Sequence, residues 1–429
     1  MSQQSLLRAA MRRMTLTREV FATRLGVSRR ALDTWLLPDG SKEHRSMPDV
    51  VERFVTEILQ HHEEAAQRTD AQATQLEIRF EDKPQLVSIG QLNRDAVENL
   101  FHLADQLQPV ARRQKVCRVL EGAVLANLFF EASTRTRISF GAAFCRLGGA
   151  VLDTTGFTFS SIAKGESLYD TSRVISGYAD AMVIRHPEQG SVAEFARATN
   201  LPLINAGDGP GEHPSQALLD LYTIEQEFER LGKRLDGACI AMVGDLKYGR
   251  TVHSLIRLLS LYRNLRIDLI SPEGLEMPGH FVEAAAALGH EIRTHTQLGA
   301  SLKEADVVYA TRIQKERLTG EAIEGYRPDF QINQATLDTW AKPDVIVMHP
   351  LPRDSRPGAN DLSADLNHDA RLAIFRQTDQ GIPIRMAVFA SLLGVADQVV
   401  RAQRDAPWRH PAQLGPDDAS FYGLGCPEL

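Results

Sequence analysis

The chain has 429 residues, 43% of them apolar and 24% charged, with a formal net charge of −7. That is the composition of a globular protein with enough residues for two or three full-sized cores. It argues against a chain built mainly to coat nucleic acid. Cys117, Cys145, Cys239 and Cys426 are scattered, with no CxxC pair. This argues against a disulfide framework or a cysteine-rich zinc site and fits a reducing cytosol. The first ten residues lack the apolar core of a signal peptide, and no apolar run approaches the ~18 residues needed to span a bilayer. The expectation is a cytoplasmic protein.

Residues 1–80 differ in texture from the rest. Arg8, Arg12 and Arg13 make a basic start. Between Leu16 and Trp35, the residues Phe21, Ala22 and Leu25 share one helical face and Gly26 interrupts it. Ser28 can cap a second helix, whose Ala31, Leu32 and Trp35 face inward again. Two short helices about a glycine turn resemble the helix-turn-helix of DNA-binding regulators, with Arg29 and Arg30 on the second helix. A helical module that packs only against protein has the same spacing. Val50 to Leu59 reads as another amphipathic helix, and Gln60 to Gln75 as a polar helix end or linker.

From about residue 85 the pattern becomes alternating strand, loop and helix, the signature of doubly wound α/β domains. Leu92–Leu107 is a helix by periodicity. The clearest strands are Val124–Phe130, Ala150–Asp153, Ala181–Ile184, Leu203–Asn205, Ala238–Val243, Arg266–Ile270, Val307–Ala310 and Val345–Met348. Ligands in such folds bind where loops leave the carboxyl ends of strands, and that is where the unusual residues stand.

Ser133-Thr134-Arg135-Thr136-Arg137 separates a strand from a helix. The unsatisfied N–H groups of that helix, its partial positive charge, three hydroxyls and two guanidinium groups together suit a phosphate. Ser160, Ser161 and Lys164 lie in a polar loop. Arg185 ends a strand. Asn205-Ala206-Gly207-Asp208-Gly209 leads into His213-Pro214-Ser215-Gln216, where the glycines allow close backbone approach and Pro214 suits a helix start. Gly244 to Thr251 is a βα loop without GxGxxG spacing, so a dinucleotide is not expected; Arg250 opens the helix that follows. Thr311-Arg312-Ile313-Gln314 and His349-Pro350-Leu351-Pro352-Arg353 close two more strands. The X-Pro steps are expected to keep the backbone extended, with carbonyls free for a ligand. Taken together these are cations and hydroxyls, with no Ser-His-Asp set, no carboxylate pair and no metal cluster. They suit a phosphorylated substrate and a dicarboxylate, with chemistry by positioning and charge stabilisation.

These motifs, in this order, resemble the catalytic chain of the aspartate carbamoyltransferases over residues 85–400. The resemblance implies two doubly wound parallel-sheet domains flanking an active-site cleft. One is a carbamoyl-phosphate domain over 85–216, completed by helices at about 372–400; the other is an aspartate domain over 217–371. A small helical extension and linker (1–80) and a tail (401–429) lie outside it. By the same resemblance Ser133, Thr134, Arg135 and Thr136 would hold the phosphate of carbamoyl phosphate, and Arg135 would stabilise it as it leaves. Thr136, Arg185 and His213 would polarise the carbamoyl oxygen. Gln216 and the Pro350–Pro352 backbone would hold the carbamoyl amide. Arg250, Arg312 and Gln314, with Leu351, Pro352 and Lys164, would receive aspartate. Ser160, Ser161 and Lys164 would come from a neighbouring subunit of a homotrimer.

The activity implied is carbamoyl transfer to L-aspartate in de novo pyrimidine biosynthesis, with no metal or organic cofactor. A higher assembly with a regulatory or dihydroorotase-like subunit is compatible with it; a membrane or nucleic-acid partner is not expected. Ornithine carbamoyltransferases share several motifs. They carry a cysteine where Leu351 stands, and two arginines suit a second carboxylate better than ornithine's amine. The other alternative is a DNA- or partner-binding regulator that uses the transferase fold as a ligand sensor. Ala132 replaces a proline common in this family's turn, and residues 354–361 depart from its usual loop.

Overall fold

The computed structural model describes residues 3–13, 17–38, 40–56, 78–155, 165–312, 330–354 and 361–409. The chain divides into two compact units, Met1–Thr74 and Gln75–Leu429.

In the first unit, α1 (Gln3–Arg13), α2 (Arg18–Arg24) and α3 (Arg29–Trp35) are followed by a helical stretch over 49–56. Helix α2 begins where the Thr17 side chain accepts from Val20 N, and α3 where Ser28 accepts from Ala31 N at 3.2 Å. Gly26 turns between them at φ +68°. Phe21, Ala22, Leu32 and Trp35 are buried, as their spacing predicts, together with Leu6, Leu7, Ala10 and Val55. Helix α1 lies in a segment whose arginines obscure an apolar face. Its Gln3 side chain donates to Trp35 O at 2.9 Å and accepts from Met47 N at 2.7 Å, tying both ends of the module together. The polar run 60–75 lies outside the described residues.

The second unit holds two five-stranded, all-parallel sheets. The first has the order β1 (Gln85–Leu86), β6 (Leu203–Asp208), β5 (Ala181–His186), β3 (Val124–Phe129), β4 (Ala150–Thr155). The second has the order β11 (Ile346–Met348), β10 (Val307–Ala310), β7 (Cys239–Val243), β8 (Arg266–Ile270), β9 (Glu291–His295). A short antiparallel pair joins β2 (Lys115–Cys117) to β12 (Gln403–Asp405). The segment expected to be a tail from 401 is therefore paired into the fold at its start.

Each expected strand is present. Those the sequence did not announce are short (β1, β2, β12) or at an edge. In β9 every residue is exposed or half-exposed and Ile292 is the one apolar side chain, so no apolar run marks it. The interior strands β3, β5 and β7 are buried on both faces, which is why they read as continuous apolar runs.

Helices α4 (Arg94–Ala111), α5 (Thr134–Arg146), α6 (Leu168–Ile175) and α7 (Ser191–Ala198) belong with the first sheet in sequence; α9 (Arg250–Leu259), α10 (Gly279–Ala287) and α11 (Gln334–Trp340) follow strands or loops of the second. Helix α8 (Pro214–Leu231) runs unbroken through residues 216–217 and connects the two. Helix α12 (Ile374–Leu392) packs against α4, α5 and α8. In each sheet one strand is flanked by strands entered in opposite directions: β3 lies between β4 and β5, and β7 between β8 and β10. Loops leaving neighbouring strands diverge at such points and open a crevice at their carboxyl ends.

Candidate functional site

The loop after β3 and the end of β5 meet at the first crevice. Ser133 adopts φ −159°, ψ 100° ahead of α5, and its hydroxyl makes no capping bond to the first N–H groups of that helix. Arg135 follows in the first turn. Desolvation of part of its guanidinium, and then the nearby charge of Arg312, hold its pKa below the usual arginine value. That proximity places the end of β10 beside the start of α5. Arg137 does not join the anion turn. It pairs with Asp153 of β4 at 2.9 Å, and its carbonyl accepts from Asn127 Nδ2 at 3.2 Å. One of the two arginines expected at the turn is thus structural.

Arg185 and Arg250 lie almost entirely within the protein, their side chains 10% and 9% exposed. Both reach Glu131, which stands between β3 and α5. Arg185 Nη2 lies 2.9 Å from Glu131 Oε2, and Arg250 Nη1 and Nη2 lie 3.4 Å from it. Arg185 Nη1 also donates to Ala206 O at 3.3 Å and Arg250 Nη1 to Gly209 O at 2.6 Å. A single carboxylate thereby bridges the carboxyl ends of β3, β5 and, through α9, β7. The sequence shows Glu131 in the turn but carries no signal for this bridge, because its partners lie 54 and 119 positions away.

One glycine before α8 admits these arginines. Gly207 has φ +128°, and a Cβ there would lie 3.0 Å from Arg185 Nη1 and 3.4 Å from Arg250 Cζ. Gly244, at φ +114°, lets the loop after β7 pass within 2.3 Å (as a notional Cβ) of Thr311 O, bringing Arg250 and Arg312 to one edge.

His213 precedes α8 and is 3% exposed. Its backbone N–H donates to Ser254 Oγ at 3.1 Å, and its ring Nδ1 lies 3.4 Å from Ser215 Oγ. Burial, followed by the charges of Arg250, Arg185 and Arg385, drives its pKa well below the usual histidine value. The imidazole is therefore neutral near pH 7 and can donate a hydrogen bond without carrying charge. Gln216, one turn into α8, donates through Nε2 to Asp220 Oδ1 at 2.9 Å.

After β11 the expectation of extended backbone fails at Leu351, which adopts φ +56°. The Leu351–Pro352 peptide bond is cis. His349 Nδ1 accepts from Leu351 N at 2.8 Å, and His349 Nε2 pairs with the buried Asp361 at 2.8 Å. Among the described residues no hydrogen bond reaches the carbonyls of Pro350 or Leu351. Ser160, Ser161, Lys164 and Gln314 lie outside the described residues. Thr134 and Thr136 lie on the first turn of α5, Arg312 follows β10, and Pro352 follows the turn at Leu351.

Residues 85–226 match the profile of the aspartate/ornithine carbamoyltransferase carbamoyl-P binding domain, and residues 236–392 that of the Asp/Orn binding domain. The chain is 56% identical over 326 residues to the aspartate carbamoyltransferase catalytic subunit of Saccharophagus degradans, covering 76% of this chain and 97% of that one. It is also 56% identical over 340 residues to the corresponding subunit of Dichelobacter nodosus, covering 79% and 98%. Among solved structures, the aspartate transcarbamoylase of Trypanosoma cruzi in complex with carbamoyl phosphate and aspartate superposes with a TM-score of 0.66 at 40% identity. That match covers 72% of this chain and 97% of the other.

Proposed function

The chain belongs to the aspartate/ornithine carbamoyltransferase family, and from that premise we infer that it transfers the carbamoyl group of carbamoyl phosphate to the amine of L-aspartate. The products are N-carbamoyl-L-aspartate and phosphate. One observation carries the reading: Arg185 and Arg250 converge on the carboxylate of Glu131 beside a neutral, buried His213. This corner already binds one carboxylate, and the crevice next to it offers a helix N-terminus and Arg135 to a phosphate.

In this reading Ser133, Thr134, Arg135 and Thr136 hold the phosphoryl oxygens with charge-assisted bonds. Thr136, Arg185 and neutral His213 donate to the carbamoyl oxygen. The aspartate amine attacks the carbamoyl carbon, and a C–N bond forms as the carbonyl electron pair moves onto oxygen. When the carbonyl re-forms, the C–O bond to phosphate breaks and phosphate leaves with the electron pair, taking up the proton that the amine gives up. Donors aimed at the oxyanion each lower such a barrier by roughly 3 kcal/mol. Arg250 and Arg312, with Gln314, receive the two aspartate carboxylates. The carbamoyl-phosphate half corresponds to 85–216 with the helices near 372–400, and the aspartate half to 217–371.

Purified protein supplied with carbamoyl phosphate and either aspartate or ornithine tests the reading. Carbamoyl aspartate must appear, and turnover of ornithine in its place would overturn it. The pathway served is pyrimidine biosynthesis. No described helix is long and apolar enough to cross a membrane, and the free thiols Cys117, Cys145 and Cys239 fit a reducing cytoplasm.

Sites shared between the subunits of a trimer are proposed from the family's loop lysine. Inactive Arg135→Ala and Lys164→Ala chains, dissociated and remixed, should regain activity; a mixture that stays inactive would refute sharing. A second reading applies to the first unit, where α2, the Gly26 turn and α3 have the sequence order of a helix-turn-helix. Two of its arginines are paired at the surface: Arg18 with Asp33 at 3.2 Å, and Arg29 with Glu19 at 3.2 Å and Asp33 at 3.7 Å. We propose that the unit does not bind nucleic acid on its own.

A further inference from the structure

Asp220 lies one turn beyond Gln216 on α8 and is fully buried. Its Oδ1 accepts from Gln216 Nε2 at 2.9 Å and from Gln377 Nε2 of α12 at 2.7 Å. Its Oδ2 accepts from Tyr309 OH of β10 at 2.7 Å. Gln377 continues the chain, because its Oε1 accepts from His349 N at 2.9 Å. His349 in turn holds the turn at Leu351 through its Nδ1. The carboxyl is thus bonded to α8, α12 and β10, and through Gln377 to the end of β11. Arg385 of α12, also buried, supplies the nearby positive charge.

An ionised carboxylate only accepts hydrogen bonds, so both glutamines must turn their NH2 groups to it. That fixes Gln216 with its carbonyl oxygen as the end left for a ligand. In the carbamoyl-transfer reading above, on which this inference rests, the ligand group nearest Gln216 is the carbamoyl NH2, which has two N–H donors and needs acceptors. Gln216 Oε1 and the carbonyls of Pro350 and Leu351 are such acceptors. Turned over, Gln216 would set NH2 against NH2.

We propose that Asp220 is a positioning residue that selects for the carbamoyl amide: it orients Gln216 directly and, through Gln377 and His349, the turn at Pro350–Leu351. Nothing in it touches substrate. Its effect is on which acylphosphate the site prefers. Acetyl phosphate has the same phosphate and carbonyl but a methyl group in place of NH2, so it makes no use of these acceptors.

The test compares carbamoyl phosphate, as substrate, with acetyl phosphate, as a competitor, in the full-length wild type, Asp220→Ala and Asp220→Asn. An inactive wild type would refute the carbamoyl-transfer reading itself and not this inference. With an active wild type, Asp220→Ala should raise KM for carbamoyl phosphate by roughly tenfold, the scale of a lost oriented hydrogen bond, while Ki for acetyl phosphate stays within a factor of about three. Asp220→Asn keeps an oxygen for the two glutamines and should recover most of the carbamoyl phosphate affinity. Equal losses for both acylphosphates, or no change in either, would overturn the proposal. If Asp220→Ala does not fold, Gln377→Met severs the arm to His349 alone. It should show the same split at a smaller size, and unchanged affinities there would be equally decisive.

Discussion

Replacing Gly207 by alanine perturbs both halves of the cleft through one methyl group. Gly207 adopts φ +128°, where an L side chain is strained, and its Cβ would stand 3.0 Å from Arg185 Nη1 and 3.4 Å from Arg250 Cζ and Nη1. The backbone cost is about 1–3 kcal/mol, a fall in Tm of a few degrees for a domain of this size. The kinetic cost comes from the contacts, since both guanidinium groups must retreat by a few tenths of an ångström from a methyl at that distance. Where a displacement of 1 Å costs about a hundredfold, this should cost roughly tenfold. In the proposed reaction Arg185 holds carbamoyl phosphate and Arg250 aspartate, so KM should rise for both substrates. Steady-state kinetics with each substrate varied in turn, beside a thermal melt, measures this. Gly232→Ala is the control. Gly232 ends α8 at φ +66° with nothing within 4 Å of the added Cβ, so it should lose stability, about 1 kcal/mol, and no affinity. If Gly207→Ala binds both substrates like the wild type, or if Gly232→Ala matches its kinetic defect, the packing argument is wrong.

Arg135→Ala should lower kcat by about a hundredfold or more while KM for aspartate changes little, since in the proposed reaction its charge is needed most as phosphate leaves; a kcat within tenfold of wild type would contradict that role. Burial raises the Asp220 carboxyl to about 6 against the hydrogen bonds from Tyr309, Gln377 and Gln216 and the nearby Arg385. A carboxyl whose folded pKa is raised contributes stability below its unfolded pKa, near 4, and loses it as pH rises through 6. Wild type should therefore lose about 3 kcal/mol relative to Asp220→Asn between pH 4 and 6 and then level off, as read from urea midpoints; parallel curves would exclude the shift. Leu32→Ala removes a fully buried side chain of the N-terminal core and should destabilise that unit by about 2–5 kcal/mol. Limited proteolysis should detect this with kcat and KM unchanged. A short mixed-sequence DNA duplex at physiological salt should not be retarded by the full-length protein, and a shift abolished by Arg30→Ala would restore the DNA-binding reading.

Much of the site was legible because its residues are announced by local chemistry. Ser133 and Thr134 stand at a helix start after an apolar run, Arg250 opens a helix after β7, and Pro214 marks the first turn of α8. The departures have causes that appear only once the chain is folded. Arg137 was diverted by Asp153, a neighbour created only when β3 and β4 pair. Leu351 left the extended region because His349 captured its N–H. Strand β9 was hidden by its edge position.

The sequence by itself determined the alternation of elements, two parallel-sheet domains, the kinds of group in the cleft and, through several ordered motifs, the family. Those features depend on apolar periodicity, turn residues and short spacings, all of which act between near neighbours. Only the tertiary structure decided that Glu131 bridges Arg185 and Arg250, that His213 is stripped of its charge, and that Asp220 is linked to His349 through Gln377. Each of these joins residues from separate elements, 28 to 157 positions apart for the direct hydrogen bonds and ion pairs, and each depends on burial. The energy of a charge or an amide is set by what surrounds it, and sequence order does not state what that is.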